Sequence, residues 1–159
     1  SGVDVEDHKA WLAQKYSDDA CLIDLNLVLD VLLDRQPHAD AGAALWASVE
    51  AGEADGVIAA HCVTALHYLA SRSGGRAFAD ECVAGVLTVF GVAPVDDAVL
   101  QQALGMGWPD FEDAVCASAG LAAGCHALAT RDPAGFKRAP LPVMTAAEVV
   151  TAIRSGEGG

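Results

Sequence analysis

Leu22-Ile23-Asp24-Leu25-Asn26 decides how the rest of this chain reads. Within Cys21–Leu25 a single carboxylate interrupts an otherwise apolar run, the pattern of a buried strand that reaches an acid. An acid in such a place is costly unless it is paired or bound to a cation. Further along, Asp110-Phe111-Glu112-Asp113 opens an apolar segment rich in Ala and Gly, and Thr130-Arg131-Asp132 follows that segment. These stretches set carboxylates where a strand ends or a helix begins. Carboxylates that converge there repel one another, and a hard divalent cation relieves the repulsion.

Outward from this stretch, apolar runs and helical periodicity alternate. Val5–Tyr16 predicts a helix ahead of the core, with Ser1-Gly2 as a cloning remnant, so residues 1–19 form an extension. Cys21–Leu25 is the first strand, and Asn26 caps a helix through Asp34. Ala39–Ala51 is a helix and Gly56–Ala60 a strand. His61–Ser71 and Arg76–Val89 are helices joined by Ser73-Gly74-Gly75. Phe90–Val95 is a strand, and Asp96-Asp97 starts the next helix. Pro109 leads into a helix from Asp110 to Ala123, ended by Gly124. His126–Thr130 and Pro142–Met144 are strands, Thr145–Arg154 is the closing helix, and residues 155–159 are a flexible tail. Residues 20–154 thus make one α/β domain with a mostly parallel central sheet covered on both faces. In such sheets ligands bind beyond the carboxyl ends of the strands, where Asp24 and Asp132 fall.

The 159 residues are 53% hydrophobic but only 6% aromatic, so the core is built from Ala, Val and Leu. The formal net charge of -13 opposes contact with polyanions. Part of that charge belongs to the acid site, where metal offsets it; the remainder suggests a soluble protein with a basic partner. The five cysteines are scattered, with no Cys-x-x-Cys pair, and read as buried reduced thiols of a cytosolic protein. No signal peptide is visible, and Ala114–Ala129 is too short to span a bilayer, so a cytoplasmic location without a membrane is expected.

Asp24, Asp113 and Asp132, joined by Asp110, are the candidate catalytic and metal-binding acids. Each has a plainer reading as well. Asp110 can be an N-cap with Asp113 completing the box, the helix dipole favours acids there in any case, and Asp132 before Pro133 can be a turn residue. The joint pattern is more telling than any one member. An all-carboxylate site suits Mg²⁺ or Mn²⁺, whereas zinc prefers His and Cys. His8, His38, His61, His67 and His126 show no paired ligand spacing, and His61 and His67 are assigned packing or hydrogen-bonding roles. The chemistry expected is metal-assisted hydrolysis of a phosphodiester, with RNA as substrate. Arg131, Lys137 and Arg138 stand near Asp132 to meet phosphates. Arg72 and Arg76 are expected to pair locally, and Ser73-Gly74-Gly75 lacks the lysine of a phosphate loop. Trp46 reads as core and Trp108 as packing beside a helix start.

Leu22-Ile23-Asp24-Leu25-Asn26 with Leu29-Asp30, then Asp110-Phe111-Glu112-Asp113-Ala114, then Thr130-Arg131-Asp132-Pro133-Ala134-Gly135-Phe136, resemble the PIN domain, the nuclease fold of VapC-type toxins. The resemblance runs from about Cys21 to Val150. It implies a three-layer α/β/α sandwich and a ribonuclease dependent on Mg²⁺ or Mn²⁺. It also implies a homodimer and inhibition by a cognate antitoxin in a type II toxin–antitoxin system. Asp24, Asp113 and Asp132 match the family's metal-binding acids, Asp110 is a fourth contributor, and Asn26 matches the position supporting the first acid. Thr130 and Arg131 support the last acid, and Glu112 flanks Asp113. One departure stands out. Typical toxins of this family carry a glutamate on the helix after the second strand, and His61–Ser71 offers Thr64 and His67 instead. Asp30 is either a further acid approaching from the first helix or a solvated face residue.

Two rival classes follow. A PIN-fold protein whose site has decayed would serve binding or regulation, with weak or no catalysis. A receiver-like phosphoryl-transfer domain would want a second acid beside the first and a later Lys, whereas Asn26 fills the second place and no Lys follows the late strand.

Overall fold

The computed structural model of the protein describes residues 20–157, so the expected Val5–Tyr16 helix and the Ser1-Gly2 start lie outside the described residues. Five strands are all parallel: β1 (Cys21–Ile23), β2 (Gly56–Ala59), β3 (Gly91–Ala93), β4 (Ala127–Ala129) and β5 (Val143–Met144). Seven helices accompany them among the described residues: α1 (Leu25–Leu32), α2 (Ala39–Glu50), α3 (Ala60–Gly74), α4 (Arg76–Val89), α5 (Asp97–Met106), α6 (Phe111–Ala122) and α7 (Ala146–Glu157). These elements form the three-layer α/β/α sandwich that the resemblance implies. Parallel strands cannot be joined by tight hairpins, so each crossover carries helix and covers the sheet.

The strand order is β3-β2-β1-β4-β5. The chain therefore builds outward from β1 in one direction through β2 and β3, then returns to build outward on the other side through β4 and β5. β1 is fully buried, as are β2 and β4, which is why these strands read as unbroken apolar runs. Leu22, Val57, Ile58 and Leu128 are wholly inaccessible.

Helix α6 packs on β1, β2 and β4, and α5 packs on α6. Its run Ala114–Gly120 is buried all round, which small side chains permit. A Cβ on Gly120 would stand 3.1 Å from Leu22 Cδ2 and 3.2 Å from Leu141 Cδ1, so this glycine marks the closest approach of helix to sheet. As expected, Gly124 ends the helix. It takes φ +77°, its N–H bonds Leu121 O at 3.1 Å, and Cys125 N–H bonds Gly120 O at 2.9 Å. That pair of bonds is the Schellman closure.

Element ends differ from the sequence expectation in ways that matter for the acids. β1 stops at Ile23, and Asp24 rather than Asn26 holds the cap position of α1, without a side-chain cap bond. Helix α1 ends at Leu32, short of Asp34, which turns at φ +50°. β3, β4 and β5 are each shorter than their apolar runs, although the flanking His126 and Thr130 N–H groups still bond across to Ala20 O and Met144 O. Helix α7 continues past Arg154 to Glu157. No helix among the described residues is long and apolar enough to cross a membrane.

Candidate active site

The direction of sheet growth reverses between β1 and β4, and a crevice opens at the carboxyl ends of such a pair. Ile23 is in register with Ala129, so Asp24 and Thr130 follow side by side, each with its N–H still bonded across, to Ala129 O and Met144 O. Thr130 Oγ1 donates to Asp24 Oδ2 at 3.0 Å and accepts from the Asp132 backbone N–H at 3.0 Å. One buried hydroxyl thus orients two of the predicted acids. Asp24 is 7% exposed. Burial raises its carboxyl above the usual range; the Thr130 bond, the Leu25 backbone and Arg131 oppose that rise, and Glu112 adds to it.

Helix α6 brings the second group. Asp110 Oδ1 accepts from Asp113 N–H at 3.1 Å, so Asp110 is the N-cap that its plainer reading anticipated. The cap aims the first turn of α6 at the crevice. There, half-buried Asp113 is pushed up to about 7, first by burial, then by Asp110, Asp24, Glu112 and Asp132. Four carboxylates from three separate stretches of sequence therefore act on a fifth. Asp113 and Asp132 also meet at Gly135, where a Cβ would stand 3.0 Å from Asp132 Oδ2 and 3.7 Å from Asp113 Oδ2. Glu112 is exposed beside Asp113.

A cleft of about 440 Å³ opens against Asp110, Asp113 and Asp132, and Lys137 and Arg138 line it with them. Asp24, just past the end of β1, is not part of the cleft's lining. The donor set is made of carboxylate oxygens, among them that of Asp113, which burial and then its acidic neighbours push up. It therefore fits a hard, oxygen-seeking divalent cation.

Three sequence candidates, Asp30, Arg131 and Asn26, have partners other than those expected. Asp30 is fully buried, which rules out a solvated face. Its Oδ1 lies 2.9 Å from Arg35 Nε and its Oδ2 3.3 Å from Arg131 Nε. These are close charge contacts without hydrogen-bond alignment at the carboxylate. Arg131, expected to face phosphates, instead ties the loop carrying Asp132 to helix α1. Asn26 is exposed, and its Oδ1 accepts from Arg35 Nη2 at 3.3 Å. It therefore steadies the same arginine rather than bonding Asp24.

On α3, Thr64 Oγ1 donates to His61 O at 2.9 Å, and His67 pairs with Asp80 at 2.8 Å. Neither bonds a member of the acid cluster. Arg76 also approaches Asp80, at 3.9 Å, the local pairing with a surface acid that was expected, whereas Arg72 meets no acid among the described residues and instead donates to Tyr68 Oη at 3.3 Å. All five cysteines are buried and free. Trp46 meets Phe90 edge to face at 5.0 Å, and Trp108 meets Phe136 at 6.0 Å.

What the sequence reading missed lies at the start of α3. His61 Nε2, Cys62 Sγ and Cys116 Sγ come together there. The sulfurs are 3.4 Å apart, and the imidazole nitrogen is 3.7 Å from Cys62 Sγ and 3.6 Å from Cys116 Sγ. The Cys62 thiol is drawn down to about 6, chiefly by the contact from Cys116, then by His61, against the cost of burial. Cys116 rises correspondingly. Burial works against a charged His61, yet Cys62 and Glu112 hold its pKa above the usual imidazole value. The signal was faint: His61 and Cys62 are adjacent, but Cys116 joins them only because it lies one turn beyond Asp113 on α6.

Acids thus gather at the switch point of this parallel α/β sheet. The PIN domain profile matches residues 20–134, and the chain belongs to the PIN domain family. Curated proteins give no sequence match. Solved structures show the same fold at low identity. The Rickettsia felis VapBC2 structure, determined with a promoter DNA fragment, aligns with TM-score 0.60 at 15% identity, over 79% of this chain and 96% of that one. The Mycobacterium tuberculosis VapC20 toxin, which cleaves the sarcin–ricin loop, aligns with TM-score 0.57 at 19% identity, over 68% and 86%. FitAB bound to a DNA fragment aligns with TM-score 0.61 at 19% identity, over 79% and 94%.

Proposed function

We propose that this protein is an endoribonuclease dependent on Mg²⁺ or Mn²⁺, the toxin of a type II toxin–antitoxin system. The observation that carries the reading is the convergence of acids on half-buried Asp113, whose carboxyl is pushed up to about 7 first by burial and then by Asp110, Asp24, Glu112 and Asp132. Asp24, Asp113 and Asp132 would hold the cation, with Asp110 contributing from the cap. A divalent ion supplies Lewis-acid charge to the phosphodiester and acidifies an attacking water. Thr130 keeps Asp24 and the Asp132 loop in place, and the Asp30–Arg131 contact holds that loop from the other side. Lys137 and Arg138 would bind backbone phosphates at the cleft. They offset locally the repulsion that a net charge of -13 creates.

The similar folds support a partner as well as a reaction. VapBC2 and FitAB are two-component complexes determined bound to DNA, and VapC20 is a toxin that cleaves the sarcin–ricin loop. On that footing we assign this chain an antitoxin partner, which the net charge of -13 suits to be basic, and we further propose a homodimeric state and a cytoplasmic location. The test is RNA cleavage by the purified protein with Mg²⁺ or Mn²⁺. Loss of cleavage in Asp113→Asn and in excess chelator supports the reading; activity that persists in both overturns it.

One observation favours a second reading, a PIN-fold binding or regulatory protein with weak or no catalysis. Helix α3 carries no acid, and His61 and Cys62 stand at its start. Calorimetry with Mn²⁺ separates the two, because a decayed site shows neither Mn²⁺ binding nor sensitivity to Asp24→Asn.

A further inference from the structure

The edge of the sheet that carries the acids also carries a second, chemically different donor set. On the β1 and β4 side the donors are carboxylate oxygens. On the β2 side they are one imidazole nitrogen and two sulfurs, from His61, Cys62 and Cys116. We propose that these three residues form a site for a soft divalent ion, Zn²⁺, distinct from the carboxylate site.

The geometry points to an ion rather than to three packed side chains. A tetrahedral zinc with Zn–S bonds of about 2.3 Å and Zn–N of about 2.0–2.1 Å separates its sulfurs by about 3.8 Å and each sulfur from the nitrogen by about 3.6 Å. The triangle here measures 3.4 Å between sulfurs and 3.6 and 3.7 Å from nitrogen to sulfur. Three edges thus match one face of a coordination tetrahedron, with only the sulfur pair needing to open slightly. The three donors come from the first turn of α3 and from α6, so the backbone fixes the set without relying on a loop. Cys62 and Cys116 are 0% and 2% exposed, which protects a bound ion. His61 is only partly buried and leaves an approach and an open fourth position. Its Nδ1 has no partner at hydrogen-bond geometry, although Glu112 lies close enough to favour the protonated ring.

Charge balance also suits zinc. Binding displaces one proton from each thiol and any proton on His61 Nε2, leaving two thiolates, one neutral imidazole and Zn²⁺ with no net charge. Softness divides the two sites: sulfur and imidazole select zinc, carboxylates select Mg²⁺ or Mn²⁺. A seated ion would pin the start of α3 to α6 one turn beyond Asp113.

The test is a titration of the reduced full-length protein with Co²⁺, followed by Zn²⁺. The expected result is one equivalent of Co²⁺ showing thiolate-to-cobalt charge transfer and the visible bands of a tetrahedral ion, both removed by Zn²⁺. Cys62→Ser, Cys116→Ser and His61→Ala should each weaken Zn²⁺ binding by more than the roughly 10–100-fold that loss of an outer partner costs. Asp113→Asn should leave the cobalt spectrum unchanged, which separates this site from the carboxylates. Absence of the charge-transfer band in the wild-type protein overturns the proposal, whatever the variants do. So does a band that survives in both cysteine variants.

Discussion

Thr130 and Asp24 are 106 residues apart in sequence and share a buried hydrogen bond of 3.0 Å. The bond follows from strand register, since Ile23 pairs with Ala129 and the next residue on each strand is the one that matters. The same hydroxyl receives the Asp132 N–H. Replacing Thr130 by Val keeps the shape and removes the hydroxyl. The expected cost is about 1–3 kcal/mol, since a buried carboxylate oxygen loses its donor. Mn²⁺ affinity should fall by about 10-fold, the usual effect of losing an outer partner. Urea unfolding and Mn²⁺ calorimetry measure the two, and unchanged affinity would show that Thr130 does not orient the acids.

Asp113 makes stability depend on pH. Its carboxyl moves from 3.8 up to about 7 on folding, so the folded chain keeps a proton that the unfolded chain releases. The stability from this group is present below about pH 4 and is lost as pH rises toward 7. Asp24 is raised too and acts in the same direction. In chelator, the melting temperature should therefore fall across this window. Asp113→Asn should flatten the fall and raise the melting temperature at pH 8 by about 2–4 °C, on the order of 1 kcal/mol once screening at this half-exposed group is counted. A variant that melts lower than wild type at pH 8 in chelator would argue against carboxylate crowding.

Asp30 is held by two arginines, so removing either leaves a partner. Arg35→Met and Arg131→Met should each cost about 1 kcal/mol, while the double variant leaves a fully buried carboxylate without a cation. Its cost should exceed the sum of the singles and approach about 3–5 kcal/mol. Denaturant unfolding of the four proteins tests this, and simple additivity would count against a shared buried charge.

Gly135 lies where the carboxylates of Asp113 and Asp132 approach each other. Gly135→Ala should displace the flexible Asp132 carboxylate rather than the backbone. The expected result is about 10-fold weaker Mn²⁺ binding with the melting temperature within about 1 °C of wild type, because surface changes of this kind cost little. Equal affinity in the variant would place the cation away from these two acids.

Much of this molecule could be read from its sequence because its strands are buried on both faces. Runs such as Cys21–Ile23 and Ala127–Ala129 have no polar face to confuse the pattern, and Gly124 announced the end of α6. The convergence of Asp24, Asp113 and Asp132 followed from topology alone. What escaped depended on partners distant in sequence. Asp30 looks like an ordinary helix-face acid until Arg131 arrives from the far side of the sheet. Cys116 looks like a core thiol until α6 sets it against His61 and Cys62. Asn26 looked like a cap because helix propensity does not reveal that Asp24, one residue beyond the ladder, already fills that place.

The decisive measurement is an anomalous difference map from crystals of the protein soaked in Mn²⁺. A peak within coordination distance of the carboxylates of Asp24, Asp113 and Asp132, absent in Asp113→Asn, is the expected result. A map with no peak among these three acids, or with Mn²⁺ held only by His61, Cys62 and Cys116, would refute a hard-cation site at the β1–β4 switch point.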